Sequence, residues 1–436
     1  MNIKFLGASG TVTGSSYLLN SDSVQVMVDF GMFQGVSEVE ELNRRPLDFN
    51  PAQVEALFLT HAHLDHCGRI PVLVRHGFRG KIYATESTIA LTEVILKDSA
   101  KIARYDNSAN PLYGDKDVDK TLQLFEKVSY DQAFSFKDLD VIYKNAGHIL
   151  GSASIVFTNQ SKRLVFSGDL GNYPDILVPS TDFVDSATTV VMESTYGGRT
   201  HPDSDPRQEL KEQLLWAQKS GGTLLVPSFA VHKTQVLLHL ISSLKEKGDI
   251  SRDMPVFLDS PMATTATYIY KDRRDLLNKG TKLDFPGLVI TTKNSQSRKI
   301  ARQQGPKIII AGSGMMTGGR ILGHAKRYLT QNNVRLLFVG YQADETLGRE
   351  ILDGETYVEI DDSEFDIKAG IEHIETLSSH ADEPKLINWL SQITGVENVI
   401  LTHGENESRT KLLQKIKQTL HLEKVHMPSL GDELQF

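Results

Sequence analysis

A single cysteine, Cys67, stands in the whole 436-residue chain, so no internal disulfide forms and no cysteine-rich zinc module can be built. That usage fits a reducing compartment, and the cytoplasm is the expected address. Long apolar runs are missing too. No stretch approaches the ~18 residues of a membrane span, and the opening MNIKFLGASG lacks the apolar segment of a signal peptide. No membrane partner is expected. Basic charge is in deficit, with 47 Lys and Arg against 55 Asp and Glu and a net charge of -8. A chain so balanced does not hold a polyanion by bulk charge; it would need a local patch or metal ions. Fixed-period repeats and low-complexity tracts are absent as well, which removes solenoid and disordered readings.

What remains is ordinary globular composition, 40% hydrophobic and 23% charged, at a length that suits two or three domains. Short β-rich runs separated by glycine turns fall at 3–6, 16–19, 24–28, 54–59, 141–144, 153–157, 163–167 and 189–192, with helices predicted at 69–75 and 87–104. From about residue 205 the rhythm changes. Helical patterns at 208–219, 232–247 and 319–329 alternate with strand patterns at 223–227, 255–258, 307–311 and 335–339, the mark of a parallel α/β domain. After about 365 a strand near 372–377, helices at 383–391 and 408–419, and a strand at 398–402 return to the first style.

The segment from Thr60 to Gly68 follows an apolar strand and carries His61, His63, Asp65 and His66. Imidazole nitrogens and a carboxylate within one turn suit a pair of borderline-soft divalent cations. Further ligand types stand where apolar strands give way to glycine: His148 after Gly147, Asp169 after Gly168, and His403 before Gly404. Taken singly, each reads better as a satisfied turn residue than as a ligand.

In order along the chain, LGASGTVTGSSYLL, MVDFGMFQG, THAHLDHCGRIP, SGDLG, ESTYGGR, LDSPMA, GSGMMTGGR, SSHAD and LTHGE form a set that resembles the metallo-β-lactamase fold of binuclear hydrolases. More narrowly the chain resembles its β-CASP branch of nucleic-acid-processing enzymes, which includes the cleavage and polyadenylation endonuclease and ribonuclease J. The resemblance implies two zinc ions. It gives His61, His63 and His148 to one, Asp65, His66 and His403 to the other, and places Asp169 between them. One carboxylate shared by cations ~3.5 to 4 Å apart offsets their repulsion. Asp29, in VDFG, is then expected to orient a ligand histidine rather than touch a cation. The resemblance also makes His380 the general acid, with Glu193 accepting its other ring proton, and counts Asp65 among the reacting groups.

In the middle region no Asp or Glu occurs from Phe285 through Ala343, whereas nine cations do: Lys293, Arg298, Lys299, Arg302, Lys307, Arg320, Lys326, Arg327 and Arg335. That stretch is expected to serve a polyanion or to be a solvated face. Ser228, Lys233, Ser313, Arg320, Ser378 and Ser379 are the expected substrate contacts. At His232-Lys233 the family usually has Gly-Arg, and lysine forgoes bidentate phosphate geometry. The chain stops soon after His403, so the C-terminal extension of ribonuclease J and the N-terminal KH modules of archaeal relatives are not expected here.

The expected fold is therefore α/β: a metallo-β-lactamase αββα sandwich, 1–199 and 366–436, into which a parallel α/β β-CASP domain, 200–365, is inserted. The expected function is a zinc-dependent ribonuclease acting on single-stranded RNA, with a homodimer allowed. The rivals are a DNA nuclease of the same family, disfavoured because such relatives generally carry Val at the position of His403, and a small-molecule ester or thioester hydrolase.

Overall fold

Thr189–Glu193 and Asn398–Thr402 each carry an unbroken apolar run at their three central positions, the pattern of a strand covered on both faces. In the computed structural model, which describes residues 1–105, 111–160 and 162–436, these two strands pair in parallel although far apart in the chain. They belong to a seven-stranded sheet ordered Val425–His426, Asn398–Thr402, Thr189–Glu193, Lys162–Phe166, Ala153–Asn159, Leu139–Asn145, Phe134–Phe136. Side chains alternate between its faces. Val191 and Ile400 join a core with Phe5, Tyr17, Val28 and Phe58 of a second seven-stranded sheet, ordered Glu433–Gln435, Asn2–Phe5, Ser16–Asn20, Gln25–Phe30, Ala56–Phe58, Lys81–Thr85, Phe125–Val128. Val190, Met192 and Leu401 instead meet Trp389 and Leu412, from helices Glu383–Ser391 and Asn406–Leu420. Trp389 is fully buried, and truncating such a side chain costs about 3–5 kcal/mol. Helices Ile70–Arg75, Glu86–Tyr105 and Asp115–Leu122 pack together beside the second of these sheets. This is the expected αββα sandwich.

The chain divides into two compact units, Met1–Thr200 with Ser379–Phe436, and His201–Ser378. The second unit is built on a parallel sheet ordered Leu288–Ile290, Val256–Asp259, Lys307–Ala311, Thr223–Pro227, Val334–Phe338, Gly370–His373. Here the sequence rhythm misleads. It assigns everything after 365 to the returning part, yet Gly370–His373 pairs with Val334–Phe338 and so extends the inserted unit to Ser378. An open parallel edge accepts one more strand, and local pattern does not say which sheet supplies that edge. Helix starts follow ordinary capping. Asp205 accepts from the Arg207 amide before Pro206–Ser220, and Asp382 from the Lys385 amide before Glu383–Ser391. No helix among the described residues is long and apolar enough to cross a membrane.

Candidate metal centre and active site

The donor set is carried by loops beyond strand ends of the first unit and by the short helix Leu64–Cys67, which holds Asp65 and His66. Two glycines let those loops close in. A Cβ on Gly31 would lie 1.6 Å from the Asp65 carbonyl oxygen, and one on Gly171 would lie 1.8 Å from that of Gly147. The VDFG strand end therefore presses on the histidine-rich loop, and SGDLG on the turn before His148. Asp29 and His403 themselves sit in the left-handed region, at φ 53° and 48°, a conformation kept only where surroundings enforce it.

Four donors converge first. His63 Nδ1 lies 3.1 Å from both His61 Nε2 and His148 Nε2, while Asp169 Oδ2 is 3.4 Å from His61 Nε2 and 3.6 Å from His148 Nε2. Ligands ~2.0 to 2.1 Å from a shared tetrahedral cation stand about 3.4 Å from each other, so these separations fit one ion. Burial, reinforced by neighbouring imidazoles, lowers the affinity of all three histidines for protons, and His63 falls to about 3. All three are neutral at ordinary pH, the state in which an imidazole can bind a metal.

A second set faces the other Asp169 oxygen. Asp169 Oδ1 is 3.2 Å from His66 Nε2 and 3.6 Å from His403 Nε2, and Asp65 Oδ2 is 3.2 Å from His403 Nε2 and 3.9 Å from His66 Nε2. Burial works to raise both carboxyls, but the surrounding histidines outweigh it and hold Asp65 and Asp169 well below the usual range. Asp169 Oδ1 is buried and accepts no hydrogen bond. A buried carboxylate oxygen without a donor is costly, and a cation would satisfy it. The residues present thus fit divalent metal.

The remaining ring nitrogens are held by the protein. His66 Nδ1 donates to Asp29 Oδ2 at 2.8 Å, and Asp29 also accepts from the Thr60 amide and hydroxyl, both at 2.8 Å. His61 Nδ1 meets the Thr60 hydroxyl at 3.0 Å, His148 Nδ1 donates to the Ser379 carbonyl at 3.1 Å, and His403 Nδ1 meets the Thr195 hydroxyl at 3.0 Å. These contacts leave Nε2 of each ring pointed at the centre. Thr60 and Thr195 escaped the sequence reading although both lie inside motifs it used. Ser379, an expected substrate contact, has its backbone carbonyl on a histidine of the donor set.

Beside the donors, His380 Nδ1 lies 3.2 and 3.3 Å from the two Glu193 oxygens, and its Nε2 is 3.9 Å from Asp169 Oδ2. Burial alone would lower this imidazole, but the Glu193 carboxylate outweighs it and raises the ring to about 9. Glu193 is itself buried and accepts from the Leu170 amide at 2.6 Å. His61, His63, Asp65, His66, His148, Asp169, Glu193, His380 and His403 are therefore one constellation, with Asp29 behind it. Cys67 is buried, with its thiol on the Ala62 carbonyl.

The expected substrate contacts of the second unit fare differently. Ser228 is buried against the Thr234 hydroxyl at 3.0 Å, Lys233 is buried with its amine on the Leu377 carbonyl, and Ser313 bonds Thr317. Arg320 pairs with Asp259 at 2.6 Å and donates to the Thr291 and Thr292 carbonyls. Their polar groups serve the unit's own structure, because each turn that displays a side chain also needs its backbone satisfied. Ser378 ends the second unit.

Comparison with known proteins bears on the whole chain. The metallo-beta-lactamase superfamily pattern matches residues 9–215, the Beta-Casp domain 234–351, and the Zn-dependent metallo-hydrolase RNA specificity domain 364–428. A protein of Thermus thermophilus named a ribonuclease is 36% identical over 417 residues, covering 93% of this chain and 94% of that one. The chain belongs to the β-CASP branch of the metallo-β-lactamase superfamily. Other relatives of this β-CASP protein are an RNase J-like protein of Methanocaldococcus jannaschii, 27% identical with 96% of each chain covered, and RNase aCSPSF2 of Saccharolobus solfataricus, 28% identical over 99% of this chain and 85% of that one. A crystal structure of a protein of unknown function from Enterococcus faecalis shares the fold, with a TM-score of 0.58 at 10% identity over 99% of each chain. The β-CASP branch is one of hydrolytic nucleases, and this chain is one of them.

Proposed function

We propose that this β-CASP protein is a two-zinc ribonuclease that hydrolyses phosphodiesters of single-stranded RNA. The observation that carries the reading is Asp169, whose two oxygens each face a separate set of neutral or anionic donors. His61, His63 and His148 would hold one zinc, Asp65, His66 and His403 the other, with Asp169 shared. When bound, the cations would lower the pKa of a coordinated water and neutralise charge gathering on the phosphoryl oxygens. The protein's own residues do the rest. Asp29, Thr60, Thr195 and the Ser379 carbonyl hold the rings in the ligating tautomer. His380, kept protonated by Glu193, donates from Nε2 to the departing oxygen, and a proton supplied there is worth about 10² to 10⁴ in rate. The match to an RNA specificity domain and the relatives named ribonucleases support RNA over DNA.

Metal analysis of the purified protein should find close to two zinc equivalents, and 5′- and 3′-labelled RNA should be cut, the product lengths separating internal cuts from trimming. Asp169→Ala should lose both metal and activity. A protein that binds no divalent ion, or that cuts thioester or DNA in preference to RNA, would overturn the reading.

A further inference from the structure

Several exposed cations of this protein sit beside an acid: Lys97 with Glu93, Lys282 with Glu246, Arg349 with Asp353 and Lys411 with Glu407. The stretch from Phe285 through Ala343 supplies no acid of its own, and the structure sorts its nine cations into two kinds. Four are spent on the fold. Arg320 pairs with Asp259 at 2.6 Å and Lys326 with Asp361; Arg335 pairs with Glu372 at 3.3 Å and stacks 4.4 Å from the Trp216 ring; and Lys307, nearly buried, donates to the Gln303 carbonyl at 2.9 Å. Lys293, Arg298, Lys299, Arg302 and Arg327 are exposed and have no acidic partner among the described residues. All but Arg327 lie on or beside one helix, Asn294–Ile300.

That helix is firmly held from below. Ile300 is buried, the Ser297 hydroxyl donates to Asp259, and Arg320, gripped by the same Asp259, reaches the Thr292 carbonyl at 2.6 Å and Asn294 Oδ1 at 3.2 Å. The basic side chains therefore stand on an ordered support, interspersed with the exposed amides of Gln303 and Gln304 and the hydroxyl of Ser295. From Pro286 through Gly305 there is no aromatic residue on which a base could stack.

Resting on the reading of the protein as a ribonuclease, we infer that the exposed face of the helix Asn294–Ile300, with Lys293, Arg298, Lys299 and Arg302, is a binding surface for the sugar-phosphate backbone of the RNA. Lysine, arginine, amide and hydroxyl groups are the types that contact phosphate and sugar, and such contacts carry no base information. Arg320 belongs to this surface as its clamp rather than as a phosphate ligand.

The test is binding of two unrelated, unstructured RNA oligonucleotides by fluorescence anisotropy from about 50 to 200 mM salt. The proteins compared are the intact chain, the quadruple variant Lys293→Gln, Arg298→Gln, Lys299→Gln, Arg302→Gln, the milder pair Arg298→Gln, Lys299→Gln, and Arg327→Gln. The quadruple variant should bind both RNAs at least ~10-fold more weakly at low salt, and each contact removed should flatten the slope of log affinity on log salt by about 0.7. The pair should show a part of that loss, which keeps the test decisive if the quadruple variant folds poorly, and Arg327→Gln should bind like the intact chain. Unchanged binding and slope in a folded variant, or an equal loss in Arg327→Gln, would overturn the inference while leaving the ribonuclease reading intact. Failure of the intact chain to bind RNA would instead overturn both.

Discussion

The Nδ1 nitrogen of His380 faces both oxygens of Glu193, at 3.2 and 3.3 Å, and the same buried carboxylate is held in place by the Leu170 amide. Glu193 keeps the ring protonated while its Nε2 is turned toward Asp169. His380→Ala should accordingly retain its metal and lose about 10² to 10⁴ in turnover on RNA. Glu193→Gln should show a smaller loss, because the amide still holds the ring but no longer favours the imidazolium. Metal analysis beside single-turnover rates checks both. Loss of metal in His380→Ala would move that residue into the ligand set.

Asp29 acts on the centre through His66. Its carboxylate fixes the tautomer of that ring and is itself oriented by two donors on Thr60. Groups that hold ligand histidines typically contribute 10- to 100-fold in metal affinity. Asp29→Asn should weaken metal binding by about that factor, with the effect read by competition against a chelating dye. An unchanged dissociation constant would show that the ring needs no such support.

In the second unit Asp259 is fully buried and collects four donors, from His324, Ser297, Thr291 and Arg320. Burial alone would raise this carboxyl, but those hydrogen bonds carry it down to about 2 from an ordinary 3.8. A depressed acid stabilises the fold once pH exceeds its unfolded value, here by about 2–3 kcal/mol, and that stabilisation disappears as pH falls through 2. Asp259→Ala should cost about 3–5 kcal/mol near neutrality, since it leaves Arg320 unpaired. Urea unfolding from pH 7 to pH 3 should show the gap between the two proteins constant above about pH 5 and narrowing below pH 4. A gap independent of pH would mean that the carboxylate charge is not what holds the cluster.

Much of the centre was readable in the chain because its ligand types are dense and local. Three histidines and an aspartate between His61 and His66 have few uses besides metal, and apolar strands ending in glycine mark where His148, Asp169 and His403 leave the sheet. The expected substrate contacts were less readable. Ser228 follows a strand, and Lys233 and Arg320 each begin a helix; in the structure they meet the Thr234 hydroxyl, the Leu377 carbonyl and the Asp259 carboxylate. A polar side chain looks the same in sequence whether it serves a ligand or the fold. The return to the first unit was misplaced for a related reason, because Gly370–His373 declares itself a strand but not which sheet it joins.

The sequence by itself determined which chemistry is available: the donor residues, the alternation of elements that makes two α/β units, and a run of cations without acids. Only the tertiary structure decided how those residues are used. It brought His403 to within 3.2 Å of Asp65, 338 residues away in the chain, gave the Ser379 carbonyl to His148, and divided the cations into those gripped by carboxylates and those left facing water. The reason is physical. A side chain's type is a local property, but its partners are set by which strands pair and which loops close. Those long-range choices are made by the burial of both sheet faces, a property of the whole chain.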